Sequence, residues 1–248
     1  MKLKYLTCVI AVGFVSAIAF LQSGYVNSRE DNPLSFNEVI IGAASYAFFE
    51  TTLEGLEYRS ANIVRGRVGG DSRMVFQYTD YFRPEHRTLG NNIVSLEILE
   101  VFQGNLRVGD IITIVEPYEI LDGVLHTVLN YLPSVPYKEY FFFLSDPITS
   151  LIENPDPEAL YGAFWVIQGS TARFPVPVSR ADMLNYTAAD LSLARETINN
   201  LPVNDLYMYL WQSVVDAYMD WSRPPVPAYR IRSGDVDTQH DFDMIIDY

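Results

Sequence analysis

Alternation of apolar and polar positions dominates the middle of the chain. Val64, Gly66 and Val68 fall on one side of an extended segment and Arg65 and Arg67 on the other, which predicts a strand from Ile63 to Val68, broken by Gly69-Gly70-Asp71. Ile93 to Phe102 is the clearest strand. Val94, Leu96, Ile98 and Phe102 share one face, Ser95 and Glu97 oppose it, and Glu100 is out of phase. Gly104-Asn105 and Gly109-Asp110 mark the connection to Ile111 through Val115, a β-branched run that predicts a strand covered on both faces. Lys138 to Leu144 contains the apolar run Tyr140 to Leu144 with four aromatic rings, and is too short for a helix. It predicts a buried strand that stops at Ser145-Asp146-Pro147. Phe164 to Gln168 and Ala172 to Val178 predict two short strands around Gly169-Ser170, and Pro175 and Pro177 place the second at a sheet edge. Val39-Ile40-Ile41 reads as a short strand or pairing arm, and Val75 to Tyr81 as a strand or a long loop. Thr51 or Thr52 can cap a short helix with Leu53 and Leu56 on one side.

The period changes near Ser179. Thr187 with Asp190 three residues on predicts a capped helix whose apolar side carries Leu191, Leu193, Ala194 and Ile198. Pro202 separates it from a second helix, Asn204 to Trp221, in which Leu206, Leu210, Val214, Ala217 and Trp221 form the main stripe. Tyr207, Trp211 and Tyr218 lie off that stripe. Pro224, Pro225 and Pro227 end the helix, and an aspartate-rich tail begins at Gly234.

At the other end, Lys2 and Lys4 precede the apolar run from Leu6 to Leu21, which carries an Ala17-x-Ala19 pattern. This is the form of a secretory signal cleaved before Phe20; an uncleaved anchor is the rival reading. Either reading puts residues 29 onward outside the cytoplasm, with contact to the membrane only through the amino-terminal segment if it is uncleaved. The organisation expected is therefore a signal peptide or anchor over 1–28, a β-barrel with an arm and a short helix over 29–178, a helical pair packed on it over 179–222, and a proline-rich linker with an acidic tail over 223–248.

Composition narrows the function classes. With 49% hydrophobic residues in 248, the chain has enough apolar surface to fold. A formal charge of -14 repels phosphate backbones and argues against nucleic acid as a partner. The one cysteine, Cys8, lies inside the apolar run, so the remainder carries neither disulfides nor a thiol nucleophile nor a cysteine zinc site. His86, His126 and His240 show no metal-ligand spacing, and no nucleophile elbow, phosphate loop or dinucleotide loop is present. No cofactor is expected. Asp235, Asp237, Asp241 and Asp243 in the tail are the only suggestion of a metal site. They fit a calcium loop poorly, because its sixth position would be His240 and its twelfth Ile246. The 17 tyrosines, 14 phenylalanines and 3 tryptophans complete a core or form a contact surface. As contacts, the candidates are Tyr78, Tyr81 and Phe82 in a loop and Tyr207, Trp211 and Tyr218 on the second helix. Arg59, Arg65 and Arg67 could meet an anionic partner, or Arg65 and Arg67 could form a polar outer face paired with Glu97.

The order helix, strand, strand, turn, strand, aromatic strand suggests a small Greek-key barrel of the OB type. The stretch from Glu54 to Val68 resembles the helix-to-strand transition of the netrin-like modules, the family that includes the tissue inhibitors of metalloproteinases. Glu100 to Ile114 is similar to the strand-turn-strand of bacterial secreted relatives of that barrel, and Tyr140 to Leu144 to their aromatic fourth strand. The resemblance covers roughly residues 50 to 178 and implies a fold, mainly β with appended α. It carries no functional residue: the inhibitors chelate zinc through an amino-terminal cysteine that has no counterpart after Cys8. The expectation is an exported non-catalytic binding module of the bacterial envelope or extracellular space, whose partner is a protein or an envelope polymer. The alternatives are an extracellular carboxylate-dependent hydrolase and a membrane-tethered structural envelope protein.

Overall fold

The run from Tyr140 to Leu144 is buried throughout because strands hydrogen-bond to both of its edges. A computed structural model of the chain describes residues 38–42, 50–75, 90–128, 130–149 and 160–222. Its strands are β1 (Glu38–Gly42), β2 (Asn62–Val75), β3 (Asn91–Gln103), β4 (Ile111–Glu116), β5 (Tyr118–Leu121), β6 (Val124–Val128), β7 (Glu139–Pro147), β8 (Phe164–Val166) and β9 (Arg173–Pro175). Its α-helices are α1 (Leu53–Arg59), α2 (Ala194–Ile198) and α3 (Asp205–Tyr218). Strand β7 pairs with β2 on one edge and with β9 and β8 on the other. The order β2-β3-β4-β8-β7 returns to β2, so five strands close into a barrel. All its pairings are antiparallel except β4 with β8, which gives the Greek-key connectivity expected for a small OB-type barrel.

Closing so few strands requires strong curvature, and the β2–β3 pair supplies it through three register shifts. Arg65 lies opposite Glu100 while Gly66 lies opposite Ile98, so Leu99 is an extra residue on β3. That shift accounts for the phase break at Glu100. A second shift spans Val68 to Ser72: Gly69-Gly70-Asp71 does not end the strand, as the glycines suggest, but bulges it before pairing resumes to Val75. At Gly66 a methyl group would sit 2.7 Å from the Leu96 side chain and 2.9 Å from the Glu97 carbonyl oxygen, so the bend is built on a residue without one.

Between β4 and β7 the chain forms an element that sequence reading passed over. β5 and β6 make a hairpin through Asp122-Gly123, both at positive φ (50° and 77°), as a two-residue type I′ turn requires. β1 adds to the free edge of β6 in parallel, which makes the predicted arm part of a three-stranded sheet. His126 consequently sits in a strand, half-buried.

Capping behaves as predicted at Thr52, whose hydroxyl accepts from the Gly55 amide at 3.2 Å; Asn204, read as the start of the second helix, proves to be its cap, its Oδ1 accepting from the Tyr207 amide at 2.8 Å. Thr187 and Asp190 also form their reciprocal bonds, but these open only a single turn. Ser192 at φ 59° interrupts it, and the first helix of the predicted pair is reduced to the five residues of α2. The segment between β8 and β9 is a 3-10 turn, Gly169–Ala172, in place of a simple turn. Strand β4 is buried only from Ile114 to Glu116, and Ile111 at its start is 73% exposed, so the predicted two-sided cover holds for part of the run.

One core joins barrel and helices. Phe141, Phe142, Phe143, Leu96 and Ile98 from the barrel share it with Tyr207, Leu210, Trp211, Val214 and Val215 from α3. A smaller cluster, Val75, Ile93, Val115, Leu160 and Ala163, includes one end of the β3–β4 face that also carries Ser95 and Thr113. Among the described residues no helix is long and apolar enough to cross a membrane.

Candidate functional site

Three strands of the barrel share an outer face. On it β2, β3 and β4 align Arg67 with Glu97 and Ile111, and β3 and β4 align Ser95 with Thr113. The bulge at Gly69-Gly70-Asp71 lifts the β2 backbone beside this second row. The result is a shallow groove of about 300 Å3 lined by Asp71, Ser72 and Arg73 from β2, Ile93, Val94 and Ser95 from β3, and Thr113 from β4. Asp71 accepts a hydrogen bond from the Ser95 hydroxyl through Oδ1, which fixes the carboxylate against the floor. The Ser72 hydroxyl donates to Asn92 Oδ1 at 3.0 Å. None of these residues was a sequence candidate, because Gly69-Gly70-Asp71 reads as an interruption; the available signal was the polar alternation at Ser95 and Glu97.

A second hollow lies at Lys138, Asn185, Tyr186 and Asp190. Its lysine is already engaged: Lys138 Nζ donates to the Asp190 carbonyl at 2.9 Å and sits 5.7 Å from the Tyr186 ring centre.

Charged residues form two further groups. Along the barrel wall Arg65 donates to Glu139 at 2.7 and 2.9 Å and to Glu100 at 3.5 Å, and Arg67 bridges Glu97 and Glu139. Pairing of Arg67 with Glu97 follows the sequence reading. Arg65, expected on an outer face, is instead buried, and Glu139 on β7 compensates it. Arg59 pairs with Glu50. The second group is fully internal. Glu116 accepts from Tyr131, from Ser134 and, at 3.3 Å, from Arg173, whose guanidinium lies 3.9 Å over the Tyr131 ring. Desolvation alone would lower the Arg173 pKa, but its tyrosine neighbours and Glu116 outweigh it, and the group is held charged. This cluster joins the end of β4 to β9 and to the Ser192 carbonyl, an internal strut with no opening to solvent.

The aromatic contact candidates separate. Tyr207 and Trp211 are buried, at 1% and 0% exposure, and so cannot present a contact surface. The main stripe of α3 is wider than predicted and turns toward them; Ala217, placed on the stripe, faces solvent. Their polar tips are satisfied by the backbone, Trp211 Nε1 donating to the Pro175 carbonyl at 2.9 Å and Tyr207 to those of Leu191 and Arg173. Tyr218 is half-buried, with its ring 4.5 Å from that of Phe102 and its hydroxyl donating to Glu57 at 2.5 Å. Tyr78, Tyr81 and Phe82, and the tail aspartates Asp235, Asp237, Asp241 and Asp243, lie outside the described residues. So do His86 and His240. Among the described residues no group of three or more His, Cys, Asp or Glu side chains could hold a metal ion.

Burial raises the pKa of Tyr118, Tyr131 and Tyr207, and burial together with the Glu57 carboxylate raises that of Tyr218. The protonated phenol is thus favoured in the folded state. The stabilisation is complete below the ordinary tyrosine value near 10 and is lost as pH climbs above it toward the raised folded values. A spectrophotometric titration should show these four rings ionising only together with unfolding. Ionisation of every tyrosine near pH 10, with the fold retained, would contradict the burial described above.

No family model, no curated protein and no solved structure matches this chain.

Proposed function

We propose that this chain is an exported, non-catalytic binding module of the bacterial cell envelope or extracellular space, and that it meets its partner on the outer face of β2, β3 and β4. The amino-terminal pattern of Lys2, Lys4 and the apolar run to Leu21 supports export, and the netrin-like resemblance belongs to the same reading. The observation that carries the binding role is the groove. It gathers a carboxylate, a guanidinium and hydroxyls from three neighbouring strands. The equivalent face of OB-type barrels is a recurrent ligand surface, an argument by analogy of fold.

The test is capture of envelope components on the immobilised full chain, wild type against the double variant Asp71→Ala/Thr113→Val. Loss of a captured species in the variant, at unchanged melting temperature, supports the reading. Turnover of a glycosidase or peptidase substrate that a single Asp or Glu substitution abolishes would replace it with the hydrolase alternative. Amino-terminal sequencing of exported material decides between release, with a start at Phe20, and a tether that keeps the segment. Retention of the whole chain in the cytoplasm would overturn export.

A further inference from the structure

We infer that the partner adds an extended, basic polypeptide segment as a further strand on the open edge of β4, from Ile111 to Thr113. The inference rests on the binding role proposed above and names the partner's chemistry.

The barrel closes through β8 only opposite Ile114 and Val115. Before that point β4 pairs with β3 on one side, and among the described residues no strand pairs with it on the other. Antiparallel strands exchange hydrogen bonds at every second residue. The Ile98 amide donates to the Asp110 carbonyl at 2.9 Å, so the positions of β4 bonded to β3 are Ile112 and Ile114. Ile111 and Thr113 therefore turn their amides and carbonyls to the open side. Such a row of donors and acceptors is matched by another backbone, which supplies both at the same spacing.

The two partly unpaired edges of this face differ in kind. Beyond Val68, β2 has only β3 beside it among the described residues, and it carries devices that blunt an edge: the bulge at Gly69-Gly70-Asp71 and the charges of Asp71 and Arg73. From Ile111 to Thr113, β4 has no charge, no proline and no register shift. Ile111 is 73% exposed on the outer face, while Ile112 packs partly buried against the main core. An added strand would cover both.

Charge selects the occupant. The chain carries -14, which draws a basic segment and repels a second copy of itself. On the outer face the row through Ile111 continues to Glu97, half-exposed beside Arg67, and the row through Thr113 continues to Ser95 and its partner Asp71. Long cationic side chains projecting from the added strand on this face would point toward these carboxylates, with their methylene stems over Ile111. Side chains on its other face meet Ile112 and are apolar. The expected segment alternates Lys or Arg with aliphatic residues.

The test is a fluorescence-polarisation titration of the full chain with three labelled probes: a seven-residue peptide alternating Lys and Val, the same peptide N-methylated at every backbone amide, and its Glu–Val counterpart. The Lys–Val peptide should bind. Its affinity should fall at least about tenfold on N-methylation, on replacement of Lys by Glu, and in the variant Ile111→Lys, which sets a like charge on the edge. That variant should keep the wild-type melting temperature, because Ile111 is mostly exposed. Failure of the Lys–Val peptide to bind, or binding indifferent to N-methylation or to Ile111→Lys, would overturn the inference. So would a dimer in light scattering that Ile111→Lys dissociates, which assigns the edge to a second copy. Tighter binding of a peptide of residues 241–248 would assign it to the chain's own tail, and also overturns it. If the Lys–Val peptide fails while capture sensitive to Asp71→Ala/Thr113→Val persists, strand addition falls and the binding role stands. If both fail, both fall.

Discussion

Arg173→Met should destabilise the protein by about 3–5 kcal/mol, read as a fall in the denaturation midpoint at unchanged slope. Arg173 and Glu116 are each 1% exposed, and their carboxylate–guanidinium contact is 3.3 Å. Removing the guanidinium leaves Glu116 charged in a site that water cannot reach, with only Tyr131 and Ser134 to donate to it. Glu116→Gln should cost a similar amount for the mirror reason, since it leaves a buried cation over the Tyr131 ring. The double variant is the informative one. With both charges gone it should lose less than either single variant, because the desolvation cost of the pair disappears along with the pair. Additive losses in the double variant would show that the two groups do not act as one strut.

Trp211→Ala should also cost about 3–5 kcal/mol, the range for deleting a fully buried large aromatic side chain. Trp211 is 0% exposed, lies 5.1 Å from the Tyr186 ring centre and donates to the Pro175 carbonyl of β9, so its loss opens a cavity and leaves that acceptor without its donor. Because α3 and the barrel share one core, the loss should register across the whole protein. Hydrogen exchange should quicken in β7 and β9 as well as in α3. Exchange confined to α3, with the barrel midpoint unchanged, would mean that the helix is an independent appendage. Tyr209→Ala on the same helix is the control: its side chain is 58% exposed, and its effect should stay within about 0.5 kcal/mol.

These two sites show where the sequence was legible. Long elements with a single period were readable: the aromatic strand β7, the alternation in β3 and the helix begun at Asn204 occupy nearly the predicted positions. Short elements were read unevenly: β1, α1, β8 and β9 fall in predicted segments, but one hairpin was missed. Asp122-Gly123 between apolar runs is the strongest local hairpin signal, and the β5–β6 pair could have been found from it. The Thr187–Asp190 cap was read correctly, but a cap opens a turn without guaranteeing a helix, and Ser192 at positive φ ends this one. Tyr207 and Trp211 were misplaced because a stripe drawn from aliphatic residues centres on them, whereas α3 buries its bulkiest rings where β9 supplies carbonyl acceptors.

The sequence by itself determined the class of architecture, because strand and helix periods are local properties of the chain. It also determined the lack of any cysteine beyond Cys8 and the net acidic balance of the chain. Tertiary structure alone decided which charges are internal. Arg65, Arg67 and Glu139 meet only because β2 and β7 are neighbours in the closed barrel, and Arg173 finds Glu116 across 57 positions. It likewise decided the groove, since Asp71, Ser95 and Thr113 come together only when a bulge in one strand is laid beside two others. Register is a relation between strands, and no single stretch of sequence contains it.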